Sequence, residues 1–212
     1  MKRKILAVAL TLAVTLSLVA CGGGGGGGDN DKFEYGNGAD YIANNLKGDY
    51  SITYRVSTSG EDYFDVTAAR TSAGYHYNYA GIEVLYIKNG NKYDKYFGSS
   101  SDGFTKVDWL EPLTEEQVKS ELSFLNWMSY YGNYSSDLKK DGSETVAGRS
   151  CNRYKYSLSY FGASLQYIVC IDKATGICMK WTYNVASGGE QSSLKFECTE
   201  FKTSGVKLPA YN

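Results

Sequence analysis

Alternating apolar and polar residues predict a series of β-strands through most of the chain after residue 50. In the segment 50–57, Tyr, Ile and Val at every second position alternate with Ser, Thr and Arg, which is the pattern of a strand with one buried face. Strands are likewise expected at 63–69, 74–79, 83–88, 92–97, 153–160, 165–171, 177–185 and 194–201, with one more beginning near 104–107. The four strands between 153 and 201 are joined by short links, which favours an antiparallel meander.

Two segments have helical rather than strand spacing. Residues 39–47 place Ile42 and Leu46 one turn apart before Gly48, which predicts a short N-terminal helix. In 114–131, Thr114 and Gln117 form a capping box at the start of a second helix. Its apolar face consists of residues at helical spacing: Val118, Leu122, Phe124, Leu125, Trp127, Met128 and Tyr131. This face is wide enough to cover part of a sheet, so the predicted fold class is α+β.

The N-terminus has the three parts of a bacterial export signal. A cationic start is followed by the apolar run 5–20, which is too short and too abruptly ended for a settled membrane span. The run ends in Leu18-Val19-Ala20-Cys21, which resembles the lipobox of bacterial lipoproteins. That resemblance implies that residues 1–20 are removed and that Cys21 carries diacylglycerol. The alternatives are an ordinary secretory signal with a chance cysteine and an uncleaved anchor helix.

Seven consecutive glycines and a polar stretch follow Cys21. Because glycine has maximal backbone freedom and no side chain to bury, residues 21–38 are interpreted as a lipidated tether. Two acyl chains hold a protein stably at a membrane, so no second membrane element is needed. The predicted organisation is a signal at 1–20, a tether at 21–38 and one domain at 39–212. The expected location is the outer face of the cell membrane, anchored by lipid.

Charge and cysteine usage narrow the classes of partner and cofactor. Without the three basic residues of the export signal the net charge is about −4, and no local Lys/Arg cluster occurs after residue 20, so a nucleic-acid partner is not expected. Four cysteines remain in the domain: Cys151, Cys170, Cys178 and Cys198. An even number outside the cytoplasm favours two disulfides, with Cys151 and Cys170 the easiest pair, although the pairing stays open. Free thiols are the next interpretation and a metal site the last, because the spacing lacks a C-x-x-C unit. No cofactor is expected.

Sequence motifs of enzymes are absent. His76 is the only histidine, and it alternates with Tyr75, Tyr77 and Tyr79, so it is interpreted as a solvent-facing strand residue. The chain has no G-x-S-x-G, H-E-x-x-H or P-loop motif. We therefore expect a protein without catalytic residues, and a hydrolase that uses His76 or a carboxylate is the third-ranked hypothesis.

The order of elements, together with two motifs, resembles the LolA/LolB/LppX-like family of bacterial lipoproteins. The motifs are Val146-Ala147-Gly148 before a strand and the D-x-x-T-G segment Asp172–Gly176 before another. The resemblance implies a strongly curved antiparallel sheet, a half-open barrel, with the central helix covering its concave face. It also implies a concave apolar surface that shelters an acyl chain or another apolar ligand. It transfers no catalytic residue.

Two functions follow as expectations. The first is a binding protein that holds an apolar or amphipathic molecule between the sheet and the 114–131 helix. The side chains expected to line its cavity are Leu122, Leu125, Trp127, Met128, Trp181 and Tyr183. The alternative is an envelope module with a filled core that senses or binds a protein partner, which the sequence does not identify.

Overall fold

A computed structural model of the chain describes residues 46, 48–59, 61–122, 138–160 and 162–211. These residues form eleven strands and one helix. The strands are β1 (Tyr50–Thr58), β2 (Glu61–Thr71), β3 (Gly74–Tyr79), β4 (Ile82–Asn89), β5 (Lys92–Ser99), β6 (Gly103–Lys106), β7 (Lys139–Val146), β8 (Arg149–Tyr160), β9 (Ala163–Asp172), β10 (Cys178–Ser187) and β11 (Glu190–Lys202). The helix, α1, is Glu115–Glu121.

All eleven strands belong to one antiparallel sheet. Its order is β6-β5-β4-β3-β2-β1-β11-β10-β9-β8-β7. Neighbouring strands in the sheet are consecutive in the chain, with one exception, the pairing of β1 with β11. The first and last strands therefore lie at the centre, and β6 and β7 are the two edges of an open sheet. We call the end where the chain enters β1 at Tyr50 the entry end, and the opposite end, at Thr58, the far end.

The strand alternation gives the sheet two chemically different faces. One face, here called the aromatic face, carries large apolar residues from nearly every strand. They include Tyr50, Ile52, Tyr54, Val56, Phe64, Tyr75, Tyr77, Tyr86, Tyr154, Tyr167, Val169, Trp181, Tyr183, Phe196 and Phe201. Full burial of one such side chain contributes about 1.5–3 kcal/mol, so this face supplies most of the stability of the sheet.

The opposite face, here called the polar face, carries mostly Ser, Thr and charged residues. Arg55, for example, lies opposite Asp65 on β2 and Glu197 on β11. A small apolar cluster on β4–β6 is the exception, and Leu208 of the C-terminal segment packs against it. The chain after β11 thus covers part of this face.

The predicted strands and the start of the central helix are confirmed. Thr114 Oγ1 accepts from the Gln117 amide and Gln117 Oε1 accepts from the Thr114 amide, which is the expected capping box. Helix α1 lies on the aromatic face, where Val118 is buried and Glu115 accepts a hydrogen bond from the Tyr75 hydroxyl at 2.9 Å. The prediction for 114–131 beyond Leu122, and the N-terminal helix except Leu46, lie outside the described residues.

Two details of the predicted fold need correction. The described residues are predominantly sheet with one seven-residue helix, so the helical part of an α+β assignment is small. Residues 139–146, interpreted from sequence as part of a polar loop, form the edge strand β7. An edge strand exposes both faces and needs no apolar alternation, which is why the pattern missed it. Within the described ranges, no helix has the length and hydropathy to cross a membrane.

Candidate functional site: the far rim of the aromatic face

Three of the side chains predicted to line a cavity lie in the described part of the chain, in two separate parts of the core. Leu122 caps α1 and belongs to the cluster around Tyr54 and Tyr86. Trp181 and Tyr183 belong to a second cluster on β8–β11, with their ring centroids 6.1 Å apart and the rings nearly parallel. All three are buried. Leu125, Trp127 and Met128 lie outside the described residues, so the shared cavity stays a prediction.

At the far end, the aromatic face reaches the surface. Ile82 is 65% exposed, Phe97 45% and Tyr79 41%. Tyr79 lies opposite Ile82 in the β3–β4 register, and the Phe64 ring lies 4.8 Å from the Tyr79 ring. We call these four residues the far rim. They occupy aromatic-face positions near strand ends, while α1 covers the entry half of the same face, so the rim is the exposed continuation of the core.

One cation borders this rim. The Lys95 ammonium lies 5.1 Å from the Phe97 ring centroid and 5.6 Å from that of Tyr86. It is held by Glu121 of α1, whose carboxylate oxygen lies 2.5 Å from Lys95 Nζ and also accepts from the Tyr86 hydroxyl. The rim therefore combines apolar rings with the Tyr79 phenol and the Lys95–Glu121 ion pair at its border, which suits an amphipathic molecule better than a purely aliphatic one. The strands predicted from sequence include Phe64, Tyr79 and Phe97 but not Ile82, and they gave no indication that these residues would adjoin one another or stay exposed.

The expectation that His76 faces solvent is wrong. His76 is on the polar face but buried, with Nε2 2.8 Å from Glu83 Oε2 and its ring edge-on to Phe104. Burial lowers the pKa of His76, and this effect outweighs the opposing influence of Glu83. Burial alone would raise the pKa of Glu83, but hydrogen bonds from Ser100 and His76 lower it overall. Because the Ser100 hydroxyl donates to Glu83 rather than to His76, the three side chains do not form a nucleophile–base pair.

The four domain cysteines lie on consecutive strands of the sheet. Cys151, Cys170, Cys178 and Cys198 belong to β8, β9, β10 and β11, and all four are buried free thiols. Burial raises the pKa of Cys170 and of Cys198 to about 12, which keeps these thiols protonated and unreactive at neutral pH. Cys151 and Cys170 lie on adjacent strands with their paired positions two residues apart. The disulfides expected from sequence stay a prediction.

The two sequence motifs meet in one structural unit at the entry end. Arg149, which follows the Val146-Ala147-Gly148 turn, binds both carboxylate oxygens of Asp172 at 3.0 and 2.7 Å. Asp172 Oδ2 also accepts from the amide and hydroxyl of Thr175, and these contacts lower its pKa although burial opposes them. The motifs thus hold two neighbouring hairpins together, which is a structural role. Among the described residues, no group of three or more His, Cys, Asp or Glu side chains is placed to hold a metal ion.

Comparison with known proteins gives remote structural similarities only. No protein-family model matches the chain, and no curated protein matches it. Two solved structures of MucB with MucA, one of them from Pseudomonas aeruginosa, have TM-scores of 0.36 at 14% and 15% identity. They match 82% of this chain, which spans 56% and 59% of those chains.

A third similar structure is described as a putative outer membrane lipoprotein-sorting protein domain from Vibrio parahaemolyticus. It has a TM-score of 0.24 at 10% identity and covers 76% of this chain and 87% of its own. With TM-scores of this size, none of the three carries an inference about the function of this chain.

Proposed function

We propose that the chain is a lipid-anchored extracytoplasmic binding protein that takes an apolar or amphipathic molecule at the far rim of its sheet. The observation that carries this proposal is the exposure of Tyr79, Ile82 and Phe97 in continuity with a buried aromatic face. Exposed apolar side chains that adjoin one another mark binding surfaces more often than isolated ones do. A ligand that covers them gains roughly 25 cal/mol for each Å² of apolar surface removed from water.

Anchoring is the part of the proposal that rests on sequence alone. Cys21 with its preceding apolar segment supports lipidation, and the glycine-rich stretch after it supports a tether that holds the domain near the membrane. In the host, the parent chain should incorporate a labelled fatty acid, and a Cys21→Ser variant should not. Equal labelling of the two chains, or no labelling of the parent chain, would contradict a lipid anchor at Cys21.

Ligand binding is tested at the rim itself. Ile82→Ser and Phe97→Ser should weaken uptake of a fluorescent fatty-acid analogue at least several-fold, because each removes exposed apolar contact area without opening the core. Trp109→Ser is the matched control: Trp109 is 84% exposed but follows β6 at the entry end. Equal uptake by all three variants, or no uptake by the parent chain, would remove the ligand-binding proposal.

The exposed Trp109 supports a second candidate function. Trp109 lies between Asp108 and Leu110 in the loop that leads to α1, and exposed tryptophans frequently anchor protein–protein interfaces. In this case the chain is an envelope module that binds a protein. Trp109→Ala should then abolish a specific crosslinked species in whole cells, while Ile82→Ser and Phe97→Ser leave that species unchanged.

A further inference from the structure

Uncharged side chains form continuous rows at the far end of the polar face. One such row consists of residues that lie opposite one another on β8, β9, β10 and β11. It continues into the turn after β1. Its members are Ser157, Gln166, Asn184, Ser193 and Ser59. The row beyond it, nearer the far end, consists of Ser159, Ser164, Ala186 and Gln191. Nine adjacent positions on four strands and a turn therefore carry no charge.

The same face changes character toward the entry end. There, Lys180 Nζ lies 2.7 Å from Glu144 and 3.6 Å from Glu197. Arg55 is paired with Asp65 at 2.9 Å. On β10 and β11 these charged groups pair with one another. The two rows nearest the far end of β8–β11 carry neutral hydrogen-bonding groups instead, which strand propensity does not require, since Ser, Asn and Gln are not favoured strand residues.

Two adjoining hollows lie over these neutral rows. Each has a volume of about 490 Å³, and their walls share Ser164, Ala186 and Gln191, so they form one groove. A volume of this size falls within the roughly 300–1,000 Å³ typical of small-molecule sites. The remaining wall residues are Ser59, Ser159, Gly162, Ala163, Gln166, Asn184, Val185, Ser187, Gly188, Gly189, Glu190, Ser192 and Ser193. Glu190 is the single ionisable residue among them.

Two side-chain amides of this groove are hydrogen-bonded to each other. Asn184 Nδ2 donates to Gln166 Oε1 at 3.3 Å, which fixes both side-chain amides across neighbouring strands. Within the described part of the chain, Asn184 Oδ1 and Gln166 Nε2 have no protein partner, so one acceptor and one donor are presented side by side. Gly188 and Gly189, in the turn between β10 and β11, both have positive φ. Since they carry no side chain, their backbone forms part of the groove wall.

We propose that this polar groove binds an uncharged, hydroxyl-rich ligand, namely a neutral saccharide chain. A hydroxyl group both donates and accepts, which matches paired amides and serine hydroxyls, and each saccharide ring offers several such groups. An anionic ligand would find no counter-ion in the walls, whose single ionisable residue is Glu190 at the edge of one hollow, and an apolar ligand would leave the amides without hydrogen bonds. The groove lies on the face opposite the far rim, so this inference is independent of the function proposed above.

Binding is measured with the full chain in detergent by titrating maltohexaose and chitohexaose and following side-chain amide resonances by NMR. We expect saturable shifts of the Asn184 and Gln166 amides and an affinity about tenfold weaker in Asn184→Ala. Thr182→Ala is the matched control, because Thr182 lies on the same strand and face one row away and does not line the groove. Its affinity should equal that of the parent chain, and the unfolding temperatures of all three proteins should agree.

Two further experiments distinguish a polymeric from a free saccharide ligand, and several outcomes would overturn the proposal. Co-sedimentation with purified, insoluble cell-wall glycan identifies a polymeric ligand, whereas binding of the soluble hexasaccharides alone identifies a free one; either supports the groove. Absence of saturable shifts for every neutral saccharide overturns the proposal. Equal affinity in Asn184→Ala and the parent, or tighter binding of an acidic hexasaccharide such as oligogalacturonate, overturns it as well.

Discussion

Asp172 accepts four hydrogen bonds at a position where its carboxylate is almost completely buried. Two come from the Arg149 guanidinium and two from Thr175, and the Arg149 guanidinium also lies over the Phe201 ring at 4.7 Å. A buried carboxylate with all of its partners in place is stabilising, but removing one partner leaves the others in low dielectric. The unit therefore joins the β7–β8 and β9–β10 hairpins through one side chain.

Substitution of Asp172 should cost far more stability than substitution of an exposed aspartate. Asp172→Asn is expected to lower the free energy of unfolding by about 2–4 kcal/mol, because Arg149 loses its counter-ion in a buried site. Asp65→Asn is the matched control: Asp65 also binds an arginine through two hydrogen bonds, but its side chain is 46% exposed. Its loss should stay below about 1 kcal/mol. Urea unfolding measures both, and equal losses would contradict the structural role assigned to Asp172.

Because His76 is buried, the free energy of unfolding should decrease as the pH becomes mildly acidic. Burial depresses the pKa of His76 below its ordinary value of 6.5, so the folded state holds the imidazole neutral and bonded to Glu83. As the pH falls below 6.5, the unfolded chain binds a proton that the folded chain does not, and stability decreases. The loss is complete once the pH is below the folded-state pKa. Glu83, whose pKa is also lowered, adds a further loss in more acidic solution.

Replacement of His76 should remove the first of these two losses. His76→Gln keeps a side-chain donor for Glu83 but cannot titrate, so its unfolding free energy should change little between pH 7 and 5.5. The parent chain should lose stability over that interval. Urea unfolding curves of the two proteins at matched ionic strength provide the comparison, and parallel curves would show that His76 does not titrate in this way.

Alternation placed His76 on the correct face but assigned it the wrong environment. The strand pattern of 74–79 puts His76 opposite the tyrosines, as observed, and the prediction of exposure followed from that alternation. His76 is buried because the Phe104 ring of β6 packs against it and because Ser100, in the turn between β5 and β6, binds its partner Glu83. The pairing of β5 with β6 brings both residues to this position. Contacts across strands that are distant in sequence are invisible to a local pattern.

At the scale of elements, some turns require glycine because of space and others only because of backbone angle. A Cβ at Gly74, at the start of β3, would lie 1.9 Å from the backbone oxygen of Tyr86 on β4. Gly90, in the β4–β5 turn, has a φ of +64°, and a Cβ there would meet open space. An Asn-Gly pair such as 89–90 is a typical hairpin turn in sequence, whereas no local pattern indicates the close approach at Gly74.

Alanine at these two glycines should therefore have different effects. Gly74→Ala forces the β3 and β4 backbones apart and is expected to lower the unfolding free energy by about 3 kcal/mol or more. Gly90→Ala incurs only the left-handed backbone cost of about 1–2 kcal/mol. Thermal unfolding followed by circular dichroism distinguishes them. A smaller effect at Gly74 than at Gly90 would argue against the close packing of β3 on β4.

Element prediction succeeded where the apolar pattern carried the structural information. The meander predicted over 153–201, the strands predicted at 83–88 and 92–97, and the capping box at Thr114 depend on residues that are close in sequence, and all of them are present. Strand β7 was missed because its residues are polar and it contains the positive-φ Gly142 within an irregular register. Lysines, a glycine and a bulge are the usual protection of an exposed sheet edge, so the features that hide β7 from a pattern search also suit its position.

The whole molecule depends on the pairing of its first and last strands. Strands β1 and β11 lie side by side at the centre of the sheet, so β11 connects the half formed by β1–β6 to the half formed by β7–β10. Loss of β11 exposes apolar surface in both halves. The segment after it contributes Leu208 to a small cluster and Tyr211 against Tyr96, which is a local contribution.

Two truncations distinguish these contributions. A chain ending at Ser187 lacks β11 and should show no cooperative unfolding transition, because each half keeps a long unpaired edge. A chain ending at Lys202 keeps the sheet and should lose only about 2 kcal/mol, the contribution of one or two buried side chains. Circular dichroism and urea titration measure both, and a cooperative transition in the shorter chain would show that the halves fold independently.

The sequence by itself determined the local features of this protein: the positions of ten of the eleven strands, the alternation of faces along them, the capping box, and an N-terminus that predicts lipidation. These depend on side-chain spacing and on backbone preferences within a few residues. Tertiary structure alone decided the central β1–β11 pairing, the burial of His76, the meeting of Arg149 with Asp172, and the exposure of the far rim and the polar groove. Each of these depends on which distant strands become neighbours, and strand order is a property of the whole chain rather than of any segment.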